Sequence, residues 1–213
     1  MRSAEAVVAT NDTKMFDLER TGFLLVLSGP SGAGKGTLVD RLLKRRPECC
    51  FAISSTTRPK RGIENEGVHY EFVSRSEFER RRDTDYFLET AEVHGHLYGT
   101  PAKFVDDNVA SGCVVVLDVD VQGGASVRLA RPEAVTVFIL PPSVDALRQR
   151  LLKRNSDNSE TVELRLQNAP AEMARWVDYD YVVVNDELEQ ATERLVAIVD
   201  AEQTRVKRTR VKS

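Results

Sequence analysis

Seven consecutive residues near the start of the chain carry the plainest chemistry. Gly29, Pro30, Ser31, Gly32, Ala33, Gly34 and Lys35 form a G-x-x-x-x-G-K run, with Gly36 and Thr37 after it. Glycines at these places let the backbone turn its N–H groups onto phosphate oxygens, and a helix opening behind them adds the positive end of its dipole. Lys35 supplies a mobile point charge for the β- and γ-phosphates of a nucleoside triphosphate. One position departs from the usual pattern. Gly36 stands where Ser or Thr normally meets Mg²⁺, so the expected contact passes to Thr37 and runs through water. Without a ligand the same run is only a glycine-rich turn from strand to helix. The motif points to a bound nucleotide and does not say what is done with it.

Further charged groups lie downstream. Asp118 closes the apolar run 113–117. An acid at the end of such a strand helps hold Mg²⁺ in nucleotide-binding proteins of this kind; its plainer use is a hydrogen bond to nearby backbone or to Arg58. Arg150 and Arg154 are four apart on a predicted helix and share a face. Arg165 follows in the polar stretch NSDNSETVELRL. Fixed cations of this sort stabilise the charge that spreads over a phosphoryl group in transfer. An exposed basic helix face is the bland alternative, and it is the reading for Arg148 and Lys153.

The elements that must position these groups follow from hydrophobic patterning. Residues 23–27, FLLVL, lie between Gly22 and Ser28-Gly29-Pro30. A short continuous run of this kind suits a strand buried on both faces of a parallel sheet. Residues 49–53, 113–117, 135–140 and 179–184 repeat the pattern. Helical spacing falls between the runs: over 37–46, stopped by Pro47, then at 121–130, 144–153 and 160–175, and from Glu187 towards Lys207. Strands alternating with helices predict an α/β fold, a three-layer sandwich around a central parallel sheet. Residues 54–108 change character. They are polar and charged with aromatics interleaved, and predict an insertion with its own small α+β structure: a strand at 70–73, a short helix at 77–82 and mixed strand at 86–93. Residues 1–20 read as an N-terminal tail. Residues 206–213 read as a basic C-terminal tail, a frayed helix end whose cations suit the dipole.

Within and after the insertion the chain reads Ser54-Ser55-Thr56-Thr57-Arg58-Pro59-Lys60-Arg61, then Tyr70, Glu89, Tyr98-Gly99-Thr100 and Asp118-Val119-Asp120-Val121-Gln122-Gly123. Together with the phosphate loop, these residues closely resemble the guanylate kinase family over residues 21–205. Its members move a phosphoryl group from ATP to GMP. The resemblance implies a core of 21–53, 109–143 and 173–205, a GMP-binding region at 54–108 and an arginine lid at 144–172. It implies that Arg58, Arg61 and Tyr70 bind the GMP phosphate, where Arg forks match paired oxygens. Glu89 and Asp120 would accept from the N1–H and N2–H₂ donors of guanine, Ser54 and Thr100 would meet its acceptor edge, and Tyr98 would line the base pocket. Lys35, Arg58, Arg150, Arg154 and Arg165 are the implied catalytic cations, with Asp118 and Thr37 towards Mg²⁺. Adenine would leave both carboxylates without their donors, a mismatch such sites reject by about 10⁴-fold. The chain departs from the family in the order of Pro59, Lys60, Gly62 and Ile63 around Arg61. Asn155 stands where the family often has glycine, and Thr100 where it often has serine. No general base is expected, because a GMP phosphate oxygen is already anionic.

Composition bounds the rest. A chain of 213 residues suits one domain with an insertion. Thirty Lys and Arg against 33 Asp and Glu leave a formal charge of -3, which weighs against a duplex nucleic-acid binder. Cys49, Cys50 and Cys113 have neither disulfide nor metal spacing and read as reduced thiols packed in the core of a cytoplasmic protein. No apolar run is long enough to span a membrane, and the N-terminus lacks the pattern of a signal peptide. The expected partners are ATP and GMP as small-molecule substrates, with no nucleic acid and no membrane; oligomeric state is not readable. Two other readings stand beside this one. A kinase for AMP or a small metabolite would share the phosphate loop but not the Glu89, Thr100 and Asp120 set. A non-catalytic protein-binding module of the same family would be expected to have lost part of the nucleotide site.

Overall fold

The computed structural model describes residues 18–211 apart from Ile63, His94 and 154–158. In chain order its strands are β1 (Leu18–Arg20), β2 (Phe23–Ser28), β3 (Cys49–Phe51), β4 (Ser55–Thr56), β5 (Glu71–Phe72), β6 (Phe87–Val93), β7 (His96–Pro101), β8 (Val114–Asp118), β9 (Val135–Leu140), β10 (Tyr181–Val184) and β11 (Thr209–Val211). The helices are α1 (Lys35–Arg45), α2 (Arg75–Arg82), α3 (Ala102–Ala110), α4 (Val121–Ala130), α5 (Val144–Lys153), α6 (Ser159–Met173) and α7 (Leu188–Gln203).

Five strands pair in the order β10-β9-β2-β8-β3, all parallel. They are the five apolar runs of the sequence. Every residue of β2 is buried, and alternation sends its side chains to two cores. Phe23, Leu25 and Leu27 pack with Leu38, Leu42, Leu195 and Val199 of α1 and α7. Leu24 and Val26 pack with Val105 and Val127 of α3 and α4. Burying one such side chain contributes about 1.5–3 kcal/mol, so a continuous run commits the strand to the middle layer. A separate four-stranded sheet, β5-β4-β7-β6, forms the insertion. Phe78 and Phe87 stack there at 4.5 Å. Gly99 lies beneath them: a Cβ would stand 2.8 Å from the Phe87 ring, so the stack needs a glycine. Helices α5 and α6 have a small core of their own, built from Leu147, Leu151, Val162 and Ala169.

Three boundaries differ from those expected. Helix α3 falls within 54–108, yet Val105 packs on the core sheet, so the insertion's own structure ends at Pro101. The C-terminal segment is not a frayed basic tail. Helix α7 stops at Gln203, a 3-10 turn covers Val206–Arg208, and β11 pairs antiparallel with β1. The cause is one buried ion pair: Arg208 Nη1 donates to Glu202 Oε2 at 2.7 Å, and Tyr181 Oη donates to the same carboxylate. The Arg208 guanidinium also lies 4.4 Å from the centre of the Phe23 ring. Residues 18–20, expected in the N-terminal tail, are therefore strand; residues 1–17 and 212–213 lie outside the described residues.

Candidate functional site: a phosphate loop facing an acceptor pocket

The loop Gly29–Lys35 joins β2 to α1. Its three glycines all have positive φ, and Gly34, at φ 94°, caps the helix. A Cβ on Gly34 would stand 2.3 Å from Asn185 Nδ2, so a side chain is excluded by both backbone and space. The helical ladder begins with Leu38 N–H donating to Gly34 O. The N–H groups of the first turn are thus left for a ligand. Lys35 Nζ folds back onto Gly29 O at 2.8 Å and lies 3.8 Å from Asp118 Oδ1. Asp118 thus has Lys35 as one ionic partner. Its Oδ2 would be 3.9 Å from a Cβ on Gly36, which places the carboxylate beside the position that lacks a hydroxyl. Thr37 is exposed on α1. Among the described residues no group of three or more His, Cys, Asp or Glu is placed to hold a metal ion. One hard carboxylate beside a phosphate loop still suits Mg²⁺, which keeps waters and takes its other ligands from phosphates.

Two arginines of the predicted lid reach this loop. Arg150 donates from Nη1 to Ala33 O at 3.1 Å and from Nη2 to Asn185 O at 2.8 Å. Arg165 Nη1 donates to Ser31 Oγ at 3.1 Å. Leu147 and Leu151 pack against Gly32. Arg154 lies outside the described residues.

The acceptor side is built by the small sheet and the start of α4. Its first cluster is cationic and aromatic. Arg58 is buried; Nε donates to Tyr98 Oη at 3.2 Å and Nη2 to Glu64 Oε1 at 2.7 Å. Its guanidinium carbon lies 5.4 Å from the centre of the Tyr70 ring. Burial opposes the charge on Arg58, but the Glu64 and Tyr98 contacts outweigh it and raise its pKa. Burial, with Asp118 and Tyr98 adding to it, pushes the Tyr70 phenol up, so it remains a neutral donor. Tyr98 thus contacts the arginine cluster from β7, two residues before Thr100. Arg61 presents its backbone N–H to Glu64 Oε2 at 2.8 Å.

The second cluster is acidic. Glu89 and Asp120 converge on Gly123: a Cβ there would stand 3.1 Å from Asp120 Oδ1 and 3.3 Å from Glu89 Oε2. Asp120 caps α4, accepting from Gly123 N–H at 2.7 Å. Thr100 Oγ1 donates to Glu89 Oε1 at 2.8 Å and lies 3.1 Å from Ser54 Oγ. The Thr100 proton is thus committed to Glu89, and the two hydroxyls form a relay behind the carboxylate. Both were expected to face a base directly; of the pair, Ser54 retains that freedom only while it is not donating to Thr100. Burial raises the Glu89 carboxyl to about 7, with Asp120 adding to the rise and Thr100 opposing it.

Several functional side chains escaped sequence reasoning. Glu64 joins the two arginines. Asn185, buried, donates from Nδ2 to Ala33 O at 2.8 Å and props the phosphate loop. Glu71 and Arg81 pair at 2.6 Å and anchor β5 just after Tyr70. Glu172 is half-buried on α6, two helical turns from Arg165 and on its face. Burial raises its carboxyl, while Lys35 and Arg165 oppose the rise. An E three residues past a paired arginine segment, or an N after a buried strand, carries no motif strong enough to single it out.

A parallel sheet, a glycine loop ahead of a helix and arginines closing on that loop define a P-loop nucleotide-binding protein of the kinase type. The family model "Guanylate kinase" matches residues 21–202. A guanylate kinase from Myxococcus xanthus (strain DK1622) is 48% identical over 191 residues, covering 89% of this chain and 91% of that one. One from Thermotoga maritima is 44% identical, covering 90% and 92%. The crystal structure of guanylate kinase from Anaplasma phagocytophilum superposes with a TM-score of 0.77 at 36% identity, covering 91% of this chain and 92% of that one. The chain belongs to the guanylate kinase family.

Proposed function

We propose that the protein transfers the γ-phosphoryl group of ATP to GMP, giving ADP and GDP, for the synthesis and recycling of guanine nucleotides. The observation that carries this reading is the convergence of Glu89 and Asp120 on Gly123, tied through β7 to the Arg58, Tyr70 and Tyr98 cluster: Thr100 holds Glu89 two residues from Tyr98. A base with two adjacent N–H donors and an attached phosphate fits both clusters at once. A phosphate oxygen of GMP forms the new bond to Pγ, and the bond from Pγ to the β,γ-bridging oxygen breaks, its electron pair leaving with ADP. Lys35 and the loop N–H groups hold the ATP phosphates, while Arg58, Arg61 and Tyr70 hold the acceptor. Arg150, Arg154 and Arg165 stabilise the charge on the moving group, and helices α5 and α6 exclude water. Asp118, with Thr37 through water, would hold Mg²⁺, which when bound neutralises the β- and γ-oxygens.

No helix among the described residues is long and apolar enough to cross a membrane. The three free cysteines suit a reducing compartment, which supports the cytoplasm as the place of work. An ADP-release assay with ATP and Mg²⁺ tests the reading, comparing GMP, dGMP, AMP, CMP and UMP as acceptors. Strong turnover with GMP and almost none with AMP is expected. Turnover with a different acceptor would overturn the base pocket. Inactivity with every acceptor, in folded protein, would favour the binding module.

A further inference from the structure

Glu64 uses both oxygens of its carboxylate on the two arginines of the acceptor site. Oε1 accepts from Arg58 Nη2 at 2.7 Å, and Oε2 accepts from the Arg61 backbone N–H at 2.8 Å. A guanidinium offers five N–H donors in a rigid fork. In Arg58, Nε goes to Tyr98, one N–H of Nη1 goes to Pro59 O at 2.8 Å, and one of Nη2 goes to Glu64. One N–H therefore remains on each terminal nitrogen, two donors for phosphate oxygens. Both partners of the pair are largely out of solvent, at 7% and 16% side-chain exposure. Burial opposes ionisation of Glu64, but its hydrogen bonds from Arg58 and from the Arg61 backbone outweigh this and hold its pKa below the usual range.

We propose that Glu64 is a positioning residue for the acceptor's phosphate: one carboxylate fixes the Arg58 fork and the Arg61 backbone before the nucleotide arrives. This rests on the reading of Arg58 as a phosphate ligand. Two effects compete. A carboxylate near a phosphate repels it, while an ordered fork binds it without first losing rotamer freedom. Arg58 lies against the carboxylate and screens it. A buried guanidinium that lost its partner would turn towards another acceptor, so order outweighs repulsion here.

The test compares Glu64→Ala and Glu64→Gln with the parent in steady-state kinetics, with guanosine as a competitive inhibitor that lacks the phosphate. In Glu64→Ala the KM for GMP rises about 10- to 100-fold, the cost of losing hydrogen bonds to a charged group. The KM for ATP and the inhibition constant of guanosine stay within about twofold, because neither site uses the Arg58 fork. Glu64→Gln keeps an acceptor for Arg58 and loses less, about 3- to 10-fold. An unchanged or lowered KM for GMP in Glu64→Ala would overturn the proposal. So would an equal weakening of guanosine, which would make the role merely structural. Arg58→Ala separates the two levels: if it leaves the KM for GMP unchanged, the phosphate reading itself fails and the proposal falls with it. If Arg58→Ala weakens GMP and both Glu64 variants do not, the proposal alone fails.

Discussion

The two halves of the site are built by opposite means. On the phosphate-loop side the ligand surface is mostly backbone: the N–H groups of one continuous segment, set by glycines at positive φ, with Lys35 as the main side chain. On the acceptor side it is almost wholly side chains, brought from the segments flanking β4 and β5, from β6 and β7, and from the cap of α4. A backbone surface tolerates most side-chain changes but no change of chain path. A side-chain surface reads a particular base, and each of its members is separately replaceable. The first design suits a co-substrate held by its phosphates; the second suits discrimination among bases.

The contrast is tested most severely where each half depends on one cation. Lys35→Ala and Arg58→Ala should both stay folded and lose about 10²–10³-fold or more in kcat/KM. Lys35→Ala should act on ATP and Arg58→Ala on GMP. Circular dichroism with initial-rate kinetics checks both, and near-parental rates in either variant would break the assignment.

Glu89 sharpens the comparison through pH. Its folded carboxyl, raised to about 7, is protonated below that pH, and the ionised form is the stronger acceptor for a base N–H. The KM for GMP should rise as pH falls below 7, by up to about tenfold per unit, with the KM for ATP flat over the same window. Stability has the opposite sign. A raised acid pKa means that the folded state binds the extra proton, so this group's contribution is lost as pH rises from the ordinary carboxylate range through about 7. Glu89→Gln should therefore melt at a higher temperature than the parent at pH 8 while losing about 10²-fold in turnover with GMP. A lower melting temperature at pH 8 would contradict burial as the dominant cause.

The smallest effect on turnover is expected far from both halves. Arg208→Ala should leave kcat and both KM values within about twofold, yet cost about 2–3 kcal/mol of stability, because Glu202 loses its buried partner and keeps only Tyr181 and the half-exposed Arg205. Denaturant melts measure it; a loss under about 1 kcal/mol would mean the pair is idle.

Legibility followed the same division. The phosphate loop could be read because its residues are contiguous and sit between an apolar run and a helical pattern. The central strands could be read because a strand buried on both faces must be continuously apolar. Strand β7 and helix α3 were missed: HLYGTP mixes polar and aromatic residues around a glycine required by the Phe78–Phe87 stack, and AKFVDDNVA buries only Val105 fully. The acceptor residues entered through resemblance, since nothing in their spacing places Glu89 beside Asp120. Glu64, Asn185 and Glu172 act through tertiary contacts that leave no periodic trace. The C-terminal segment misled for a plainer reason: four basic residues in 206–213 suggest a solvated end, and the acid that buries Arg208 lies six positions back inside α7.

That segment bears on how the protein is made. Strand β2, which leads directly into the phosphate loop, is among the first elements to emerge in synthesis. Phe23, at its start, is capped by Arg208, and Thr21 is held by the Arg208 carbonyl at 2.8 Å. The clasp on this early strand is thus supplied by residues made much later, Arg208 lying 187 positions beyond Thr21. A nascent chain can lay down its parallel sheet from the N-terminal side, but this clasp forms only once Arg208 and β11 have been made. Chains truncated before Arg208 should leave that end of the sheet open to quality control.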